Sequence, residues 1–302
     1  MLAVVRPTPE DIEGIVDLCN TRNRELYGEP IVDRTEVRRW LALPDLHLWV
    51  AKEDEKIAAY ADVHEEDEHR RYWVDLREHP ARREQGGALA VLEAVETWAR
   101  SRAAPDALVR GAAADRDEQL RWLYERNGFR PVRHMLEMRI RLDAHLAKPQ
   151  WPKGVQVREL VPGEGEQTFY EVAMEAFEDH WEFVRQPYDE WRGWALEHPR
   201  FDASLWFLAL DGAKPAGCCI CGLHGSGDPS FGYIATLAVR RPWRRRGLGL
   251  ALLHHSFREF HRRGMTQAAL DADAENLTGA VRLYERAGMH IHKRREVYEK
   301  AV

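Results

Sequence analysis

The residues best suited to chemistry lie between positions 238 and 252, where the chain reads AVRRPWRRRGLGLAL. An apolar run over 233–239 predicts a strand, the loop after it has the spacing R-x-x-G-x-G at 244–249, and an apolar helical pattern begins at Leu248. The first backbone N–H groups of a helix have no partner within it, its dipole favours negative charge, and glycines let an anion come close. The pattern therefore predicts a seat for a polyphosphate.

The charges of the loop and the spacing of its glycines limit which class of phosphate ligand can bind there. Three arginines can supply further contacts to phosphate oxygens: Arg244, Arg245 and Arg246. The sequence has neither the G-x-x-x-x-G-K-[ST] pattern of nucleotide P-loops nor the G-x-G-x-x-G pattern of dinucleotide sites. The alternative interpretation is a basic, solvated helix start whose glycines only shape a turn.

A second pattern follows at 270–289, which reads LDADAENLTGAVRLYERAGM. Its first residues alternate as in a short strand, Asn276 suits a helix start, and an apolar stripe that includes Tyr284 predicts a helix. Together with R-x-x-G-x-G at 244–249, this Asn and this Tyr resemble the acyl-CoA core of the GNAT superfamily of N-acetyltransferases.

The resemblance implies that the C-terminal half binds acetyl-CoA as a co-substrate and passes the acetyl group directly to a primary amine of a small molecule or peptide. A backbone N–H of the strand would polarise the thioester carbonyl. The implied cofactor contacts are Leu237, Ala238, Val239, Arg244, Arg245, Arg246, Gly247, Leu248, Gly249, Leu250 and Asn276. Tyr284 is the matched position for protonating the departing thiolate, since a phenol is protonated at pH 7. The alternative for Tyr284 is a packed helix tyrosine.

The general base is less clearly marked. Asp271 lies five residues before Asn276, where some superfamily members carry a carboxylate base, and Asp273 shares its strand face. We expect Asp271 to accept the proton of the amine through a chain of water molecules. Both acids also suit exposed strand positions. The other candidates are Tyr233, His224 and the EDHWE segment at 178–182.

The chain contains this arrangement twice. LYERNGF at 123–129 echoes LYERAGM at 283–289, and the interval from motif glycine to tyrosine is 38 residues in the first copy and 37 in the second. Two prolines and a glycine within 144–154 predict a linker between domains at 1–143 and 155–302. Strand-rich first parts followed by alternating strands and helices predict an α/β fold (α+β mixed sheet), and the resemblance implies two tandem GNAT-like acyl-CoA N-acyltransferase domains.

The two copies are not equal. The first keeps R-x-x-G-x-A at 83–88, but Glu84 stands where the second has a loop arginine, and Glu78 adds another negative charge. The asparagine has no clear counterpart within 113–119. We therefore expect a degenerate first copy that binds CoA weakly or not at all, with Tyr124 in its core. The alternative is a second acyl-CoA site.

The acceptor is not fixed by the sequence. The tandem layout and the stretch 270–289 also resemble the mycothiol synthase family, which acetylates the amine of a cysteinyl pseudo-disaccharide. That family is expected to carry a Glu where this chain has Tyr233, and tyrosine is a poor base at pH 7. This acceptor is therefore one alternative beside other small-molecule amines and peptide N-termini. A non-catalytic acyl-CoA sensor or scaffold is the alternative from another class, favoured if no base lies near the thioester.

Composition limits the partners. The net charge of −6 over 302 residues provides no domain-wide basic surface, so we expect no nucleic-acid partner. The sequence lacks a signal-peptide core and any apolar run near about 18 residues, which predicts a cytoplasmic protein without a membrane partner. Three of the four cysteines lie in AGCCICGL at 216–223 and are expected to be buried strand residues without a metal. A monomer and a homodimer both suit the sequence.

Overall fold

The computed structural model describes residues 2–276 and 279–302, which form helices and strands in two compact units. Unit 1 comprises Met1–Met135, Gly225–Gly227 and Arg294–Val302. Unit 2 comprises Leu136–His224 and Asp228–Lys293. The predicted linker does separate the two runs of elements, but the units differ from the predicted halves, because the last strand of each half contributes to the other unit.

The elements of the two copies correspond one by one, which supports the tandem arrangement. The N-terminal copy contains β1 (Ala3–Val5), α1 (Ile12–Tyr27), α2 (Arg34–Ala42), β2 (Leu46–Glu53), β3 (Lys56–Glu66), β4 (Arg71–Glu78), α3 (Gly87–Arg100), β5 (Leu108–Ala114), α4 (Glu118–Arg126) and β6 (Arg130–Arg141). The C-terminal copy contains β7 (Val155–Glu159), α5 (Glu166–Phe177), α6 (Tyr188–Ala195), β8 (Trp206–Asp211), β9 (Lys214–Leu223), β10 (Phe231–Val239), α7 (Leu248–Arg262), β11 (Gln267–Asp273), α8 (Ala280–Arg286) and β12 (His290–Ala301).

The mixed sheet of unit 2 creates an opening between two strands. Its strand order is β6-β11-β10-β9-β8-β7, and β7 to β10 pair antiparallel. The strands β10 and β11 pair in parallel only as far as Tyr233 and Ala269. A bulge between Ile234 and Thr236 then bends β10. The two strands therefore part in the direction of the loop that carries the basic motif.

The sheet of unit 1 is completed by the C-terminal end of the chain. Its strand order is β1-β2-β3-β4-β5-β12, and β4 pairs in parallel with β5 as far as Val74 and Gly111. The strand β12 pairs antiparallel with β5, from Arg295 opposite Ala114 to Ala301 opposite Leu108. The strands β4 and β5 thus part beyond their last pair, as β10 and β11 do.

Helices cover both faces of the sheet in unit 2. The helix α7 packs through the fully buried Phe257 and Phe260 against one face, and α5 packs through Phe169 against the other. Replacing a phenylalanine buried in this way by alanine costs about 3–5 kcal/mol of stability. A Cβ on Gly232 would lie 2.8 Å from the Phe260 ring, so the strand can pass under α7 only with glycine. The predicted fold class is confirmed.

The strand cysteines are buried as predicted. Cys218, Cys219 and Cys221 are all buried on β9, and the Sγ atoms of Cys219 and Cys221 are 3.5 Å apart on one face. Burial raises the pKa of the Cys218 and Cys221 thiols, which stay protonated at neutral pH. They act as small apolar side chains in the core.

Predicted boundaries agree closely except at one helix. The strand predicted over 233–239 lies within β10 and ends with it at Val239, and the helix predicted from Leu248 is α7. The helix predicted to follow Asn276 begins at Ala280 in the structure, after Gly279 in the left-handed region with φ +77°. Positions 277 and 278 of that prediction lie outside the described residues. Within 2–276 and 279–302, no helix is both long and apolar enough to span a bilayer.

Candidate functional site

A cleft with a volume of about 850 Å³ opens in unit 2 where β10 and β11 part. The end of α5, the loop after β10 and the first turns of α7 and α8 complete its walls. All but two of the predicted site residues lie in its lining: Leu237, Val239, Arg244, Arg245, Gly247, Leu248, Gly249, Leu250, Asp271, Asn276 and Tyr284. The fold thus brings together side chains from separate stretches of the sequence.

The two remaining predicted residues, Ala238 and Arg246, lie outside this lining. Side chains alternate along a strand, so Leu237 and Val239 face the cleft while Ala238 is buried in the core beneath α5. Ala238 can therefore offer a ligand only its backbone. Arg246 is exposed to solvent beside the loop.

The start of α7 has the features of an anion seat. It follows Gly247, whose φ of +85° is in the left-handed region that favours glycine. Ala251 N donates to Gly247 O at 3.0 Å, so the amides of residues 248–250 precede the helical hydrogen-bond ladder. In the fully described α7, the first turn carries no acidic side chain. A Cβ on Gly249 would lie 3.1 Å from Leu283 Cδ2, which favours glycine there.

The arginines of the loop have different surroundings. Arg244 Nε donates to Val239 O at 3.0 Å, its Nη2 donates to Ala176 O at 2.9 Å, and its Nη1 forms an ion pair with Asp179. Arg245 is exposed, lies in the cleft lining and has a φ of +61°. Arg244 therefore fixes the loop to β10 and α5, and Arg245 is placed to meet a phosphate.

The acidic segment 178–182, one of the alternative places for a base, is engaged by this loop. Glu178 and Asp179 both form ion pairs with Arg241. Hydrogen bonds from Arg241 and Arg244 lower the pKa of the partly exposed Asp179 carboxyl. These two carboxylates therefore stabilise the loop, and a cationic acceptor would have to compete with arginines for them.

The two histidines among the alternative bases lie in different places. His180 is an exposed residue that lines the cleft against the ring of Phe177, with centroids 4.4 Å apart, and partial desolvation of its ring lowers its pKa. A lowered pKa keeps its imidazole neutral at pH 7. His224 is buried and stacks on Phe231 with centroids 4.1 Å apart, outside the cleft lining. Of the two, His180 is the one that shares the cleft with Tyr284.

Tyr284 is a cleft residue with a firmly protonated phenol. It lies in the lining although it is only 9% exposed. Burial, with a smaller contribution from Cys219, raises its pKa to about 12. The hydroxyl therefore keeps its proton throughout the neutral range and can donate it to a basic leaving group.

The corresponding tyrosine of the first copy is a core residue, as predicted. Tyr124 is fully buried and stacks on Tyr298 with ring centroids 5.4 Å apart. Its hydroxyl has no hydrogen-bond partner among the described residues, and burial raises its pKa. A Cβ on Gly111 would lie 2.3 Å from this hydroxyl, so the strand passes very close to it.

The two candidate carboxylates on β11 differ in their contacts. Tyr233 Oη donates to Asp271 Oδ2 at 2.9 Å, although the residues are 38 positions apart. Asp271 is exposed and lies in the cleft lining. Asp273 Oδ1 accepts from Glu275 N at 2.9 Å and shapes the turn that follows β11. Asp271 is therefore the better placed of the two to meet an acceptor.

The helix α8 adds two cations that the sequence reasoning did not select. Arg282 and Arg286 both lie in the cleft lining, on either side of Tyr284 in the sequence. Residues four apart share one helix face, so their spacing was a signal available from the sequence. With Arg245, they provide positive charge around the start of α7.

The cleft of unit 1 is smaller, and side chains of unit 1 fill part of it. Its volume is about 310 Å³. Glu78 Oε1 accepts a hydrogen bond from Ala88 N at 2.9 Å, at the start of α3. Burial raises the pKa of Glu78. Its side chain thus takes the place at the helix start that an anion would need. The side chain of Glu84 lies outside the described part of the structure.

An ion pair closes the same cleft further along. Arg22 on α1 and Asp117, the N-cap of α4, are both less than one-tenth exposed and form a salt bridge in its lining. In unit 2, Ala176 near the end of α5 and Asn276 before α8 line the cleft. The short side chain of Ala176 leaves room at this end of α5.

Comparison with known proteins identifies the chain's relatives. Residues 13–129 and 167–289 each match the model of the acetyltransferase (GNAT) family. A mycothiol acetyltransferase of Salinispora arenicola is 30% identical over 291 residues, which cover 94% of this chain and 91% of the relative. The mycothiol acetyltransferase of Streptomyces avermitilis is 28% identical over 293 residues, covering 95% and 90%.

Solved structures agree with this result. A GCN5-related N-acetyltransferase from Sphaerobacter thermophilus is 31% identical with a TM-score of 0.82, covering 99% of this chain and 95% of the other. A tandem GNAT protein from the clavulanic acid biosynthesis pathway has a TM-score of 0.79, covering 100% and 98%. At 16% identity, that second likeness concerns the fold alone.

Proposed function

Because the chain belongs to the acetyltransferase (GNAT) family, we propose that its C-terminal copy moves the acetyl group of acetyl-CoA directly to a primary amine. The observation that supports this most is the shared lining of one cleft. It combines the start of α7, the protonated Tyr284 and the carboxylate of Asp271. An acid and a carboxylate beside a phosphate seat are the groups that acyl transfer to an amine requires.

The binding step uses the shape of the cleft. The pyrophosphate of acetyl-CoA meets the amides of residues 248–250 and the side chain of Arg245, and Arg282 and Arg286 approach the remaining phosphate. The amide-bearing arm of the cofactor lies along the open edge of β10 at 237–239, as an added strand would. A backbone N–H of this edge polarises the thioester carbonyl.

The chemical step transfers one acyl group and balances its protons. Asp271 takes a proton from the acceptor ammonium, and the nitrogen lone pair forms a bond to the thioester carbon. The carbon–sulfur bond breaks, and the sulfur takes the phenolic proton of Tyr284. The proton that leaves the new amide nitrogen returns to the Tyr284 phenolate, and Asp271 releases its proton to water.

The N-terminal copy contributes no second site in this proposal. Glu78 fills the start of α3, and the pair of Arg22 and Asp117 fills the cleft beyond it. A bound pyrophosphate would have to displace a carboxylate and approach others, which is electrostatically unfavourable. All lining residues of the proposed acetyl-CoA cleft come from unit 2.

The acceptor is proposed as a small-molecule or peptide amine. The similarity to mycothiol acetyltransferases makes a cysteinyl pseudo-disaccharide the first acceptor to test. That family is expected to carry a Glu where this chain has Tyr233. Because this difference could change the acceptor, glucosamine and peptide N-termini are tested as well. The presence of Asp271 in the cleft counts against a non-catalytic sensor. We place the reaction in the cytoplasm, where acetyl-CoA is available.

Titration calorimetry with acetyl-CoA tests the proposal. We expect one binding site per chain, and a loss of affinity of at least tenfold in Arg245→Glu because phosphate would face a carboxylate. Arg158→Glu makes the same charge change at an exposed position of β7 and is the matched control. Absence of binding in the wild type, or an Arg245→Glu variant equal to its control, would contradict the proposed site.

Turnover is then measured by chromatography with three amines: the cysteinyl pseudo-disaccharide, D-glucosamine and an alanyl peptide with a free N-terminus. The wild type should acetylate at least one of these amines faster than the Tyr284→Phe variant does. Acetyl-CoA binding without acetylation of any of them would support the sensor alternative.

A further inference from the structure

The hydrogen bond between Tyr233 and Asp271 lies at the narrow end of the opening between β10 and β11. Tyr233 belongs to the last parallel pair of these strands, opposite Ala269. Asp271 is two residues further along β11, on the same strand face and beyond the last pair. The side-chain hydrogen bond therefore connects β10 and β11 just beyond their last backbone pair.

The donor is held more firmly than the acceptor. Tyr233 is paired on both sides of its strand, with Gly222 on β9 and with Ala269 on β11. Its ring has the His224 ring against it, with centroids 6.1 Å apart at 65°. Asp271 is exposed at the cleft, and the hydrogen bond from Tyr233 favours one rotamer of its carboxylate.

We propose that Tyr233 is the positioning residue for Asp271 and thereby for deprotonation of the acceptor amine, an inference that rests on the proposed function. An ionised carboxylate has about four acceptor sites on its two oxygens, so it can accept from Tyr233 and from an ammonium together. The Tyr233 hydroxyl donates to the Asp271 carboxylate and orients it. It neither gives nor takes a proton in the reaction.

The charged and titratable groups around this pair come from every neighbouring element. Asp273 lies on the same strand, and His180, after α5, and Tyr284 on α8 share the cleft. Further charged groups of the cleft lining are Asp179, Arg244, Arg245, Arg282 and Arg286. His224 follows β9. The next strand, β6, carries Glu137 and Arg139, which pair with each other, and Lys293 pairs with Glu137. Tyr233 Oη donates to Asp271 Oδ2 at 2.9 Å.

The test compares Tyr233→Phe, Asp271→Asn and the wild type across pH 5.5 to 9. The assay measures kcat and KM for the fastest of the three amines named above, with acetyl-CoA saturating. Tyr170→Phe is the matched control, because it removes a phenol that donates to Gln186 O at 2.6 Å elsewhere in unit 2. Thermal unfolding and acetyl-CoA affinity are measured for every variant.

We expect Tyr233→Phe to lower kcat about tenfold across this pH range while the KM of the amine changes less than twofold, since a carboxylate that is no longer held in place loses proton transfer but not binding. Asp271→Asn should lose about 10²- to 10⁴-fold in kcat at every pH, as expected for removal of a general base. Acetyl-CoA affinity should stay within twofold in both, and Tyr170→Phe should keep the wild-type pH profile.

The outcomes separate this inference from the proposed function. If the wild type acetylates an amine and the profile of Tyr233→Phe superimposes on it, Tyr233 does not position the base, and the inference is wrong while the function stands. Wild-type activity in Asp271→Asn would likewise overturn it. A wild type that binds acetyl-CoA but acetylates none of the amines would refute the proposed function itself.

Discussion

At the scale of single residues, the environment of each side chain decides its role more than its type does. The two copies carry the same Leu-Tyr-Glu-Arg motif, yet Tyr284 lines a cleft and Tyr124 is sealed in a core. Only the first can meet a ligand. The two neighbouring arginines differ in the same way. The Arg244 guanidinium is engaged by backbone carbonyls of the protein, whereas Arg245 is exposed in the cleft lining.

Tyr284→Phe should lower kcat by about 10²-fold, because general-acid groups contribute on that order, while the Kd of acetyl-CoA changes less than twofold. Burial raises the pKa of Tyr284 to about 12, so the phenol is fully protonated below pH 10. The wild-type kcat should therefore show no alkaline loss attributable to this group between pH 8 and 10. Steady-state kinetics with saturating acetyl-CoA check both points. An unchanged kcat would remove Tyr284 from the acid role.

At the scale of elements, the sequence predicted what depends on local pattern. The strand 231–239 and the helix after it were recoverable because an apolar run, a basic turn and helical periodicity follow one another. The start of α8 was placed too early, because Gly279 in the left-handed region delays the helix. The contact of Tyr233 with Asp271 joins two strands 38 positions apart, and no local pattern encodes it.

The ability to bind acetyl-CoA should be transferable to the first cleft by replacing the residues that fill it. Glu78 stands eight residues before Gly86, as Val239 stands eight before Gly247. We expect the triple variant Glu78→Val, Arg22→Ala and Asp117→Asn to bind a second equivalent of acetyl-CoA, since the start of α3 becomes available. Calorimetric stoichiometry measures this.

The reciprocal change supplies the control. Val239→Glu introduces a carboxylate beside the start of α7 and should reduce acetyl-CoA affinity at least tenfold through repulsion of the pyrophosphate. A triple variant that folds, by circular dichroism and cooperative melting, and still binds one equivalent would show that the first cleft is closed by other features. Two equivalents in the wild type would show that it is not closed.

At the scale of the whole molecule, the last strand of each half contributes to the unit built mainly from the other half. Tyr298, near the C-terminus, is fully buried in the core of unit 1 beside Val109 and Phe129. Met138 of the first half is fully buried in the core of unit 2 with Leu252. The predicted domains at 1–143 and 155–302 did not anticipate this, because strand exchange is set by long-range pairing that a repeat pattern leaves open.

This exchange makes a reciprocal prediction for local stability. Tyr298→Ala removes a buried aromatic ring from unit 1 and should cost about 3–5 kcal/mol there, whereas Met138→Ala should cost about 2–5 kcal/mol in unit 2. Hydrogen exchange followed by mass spectrometry should therefore show faster exchange at β5 in Tyr298→Ala and at β11 in Met138→Ala. If each substitution instead loosened the strands of its own half of the sequence, the two copies would be closed by their own last strands. The C-terminal strand would then belong to unit 2.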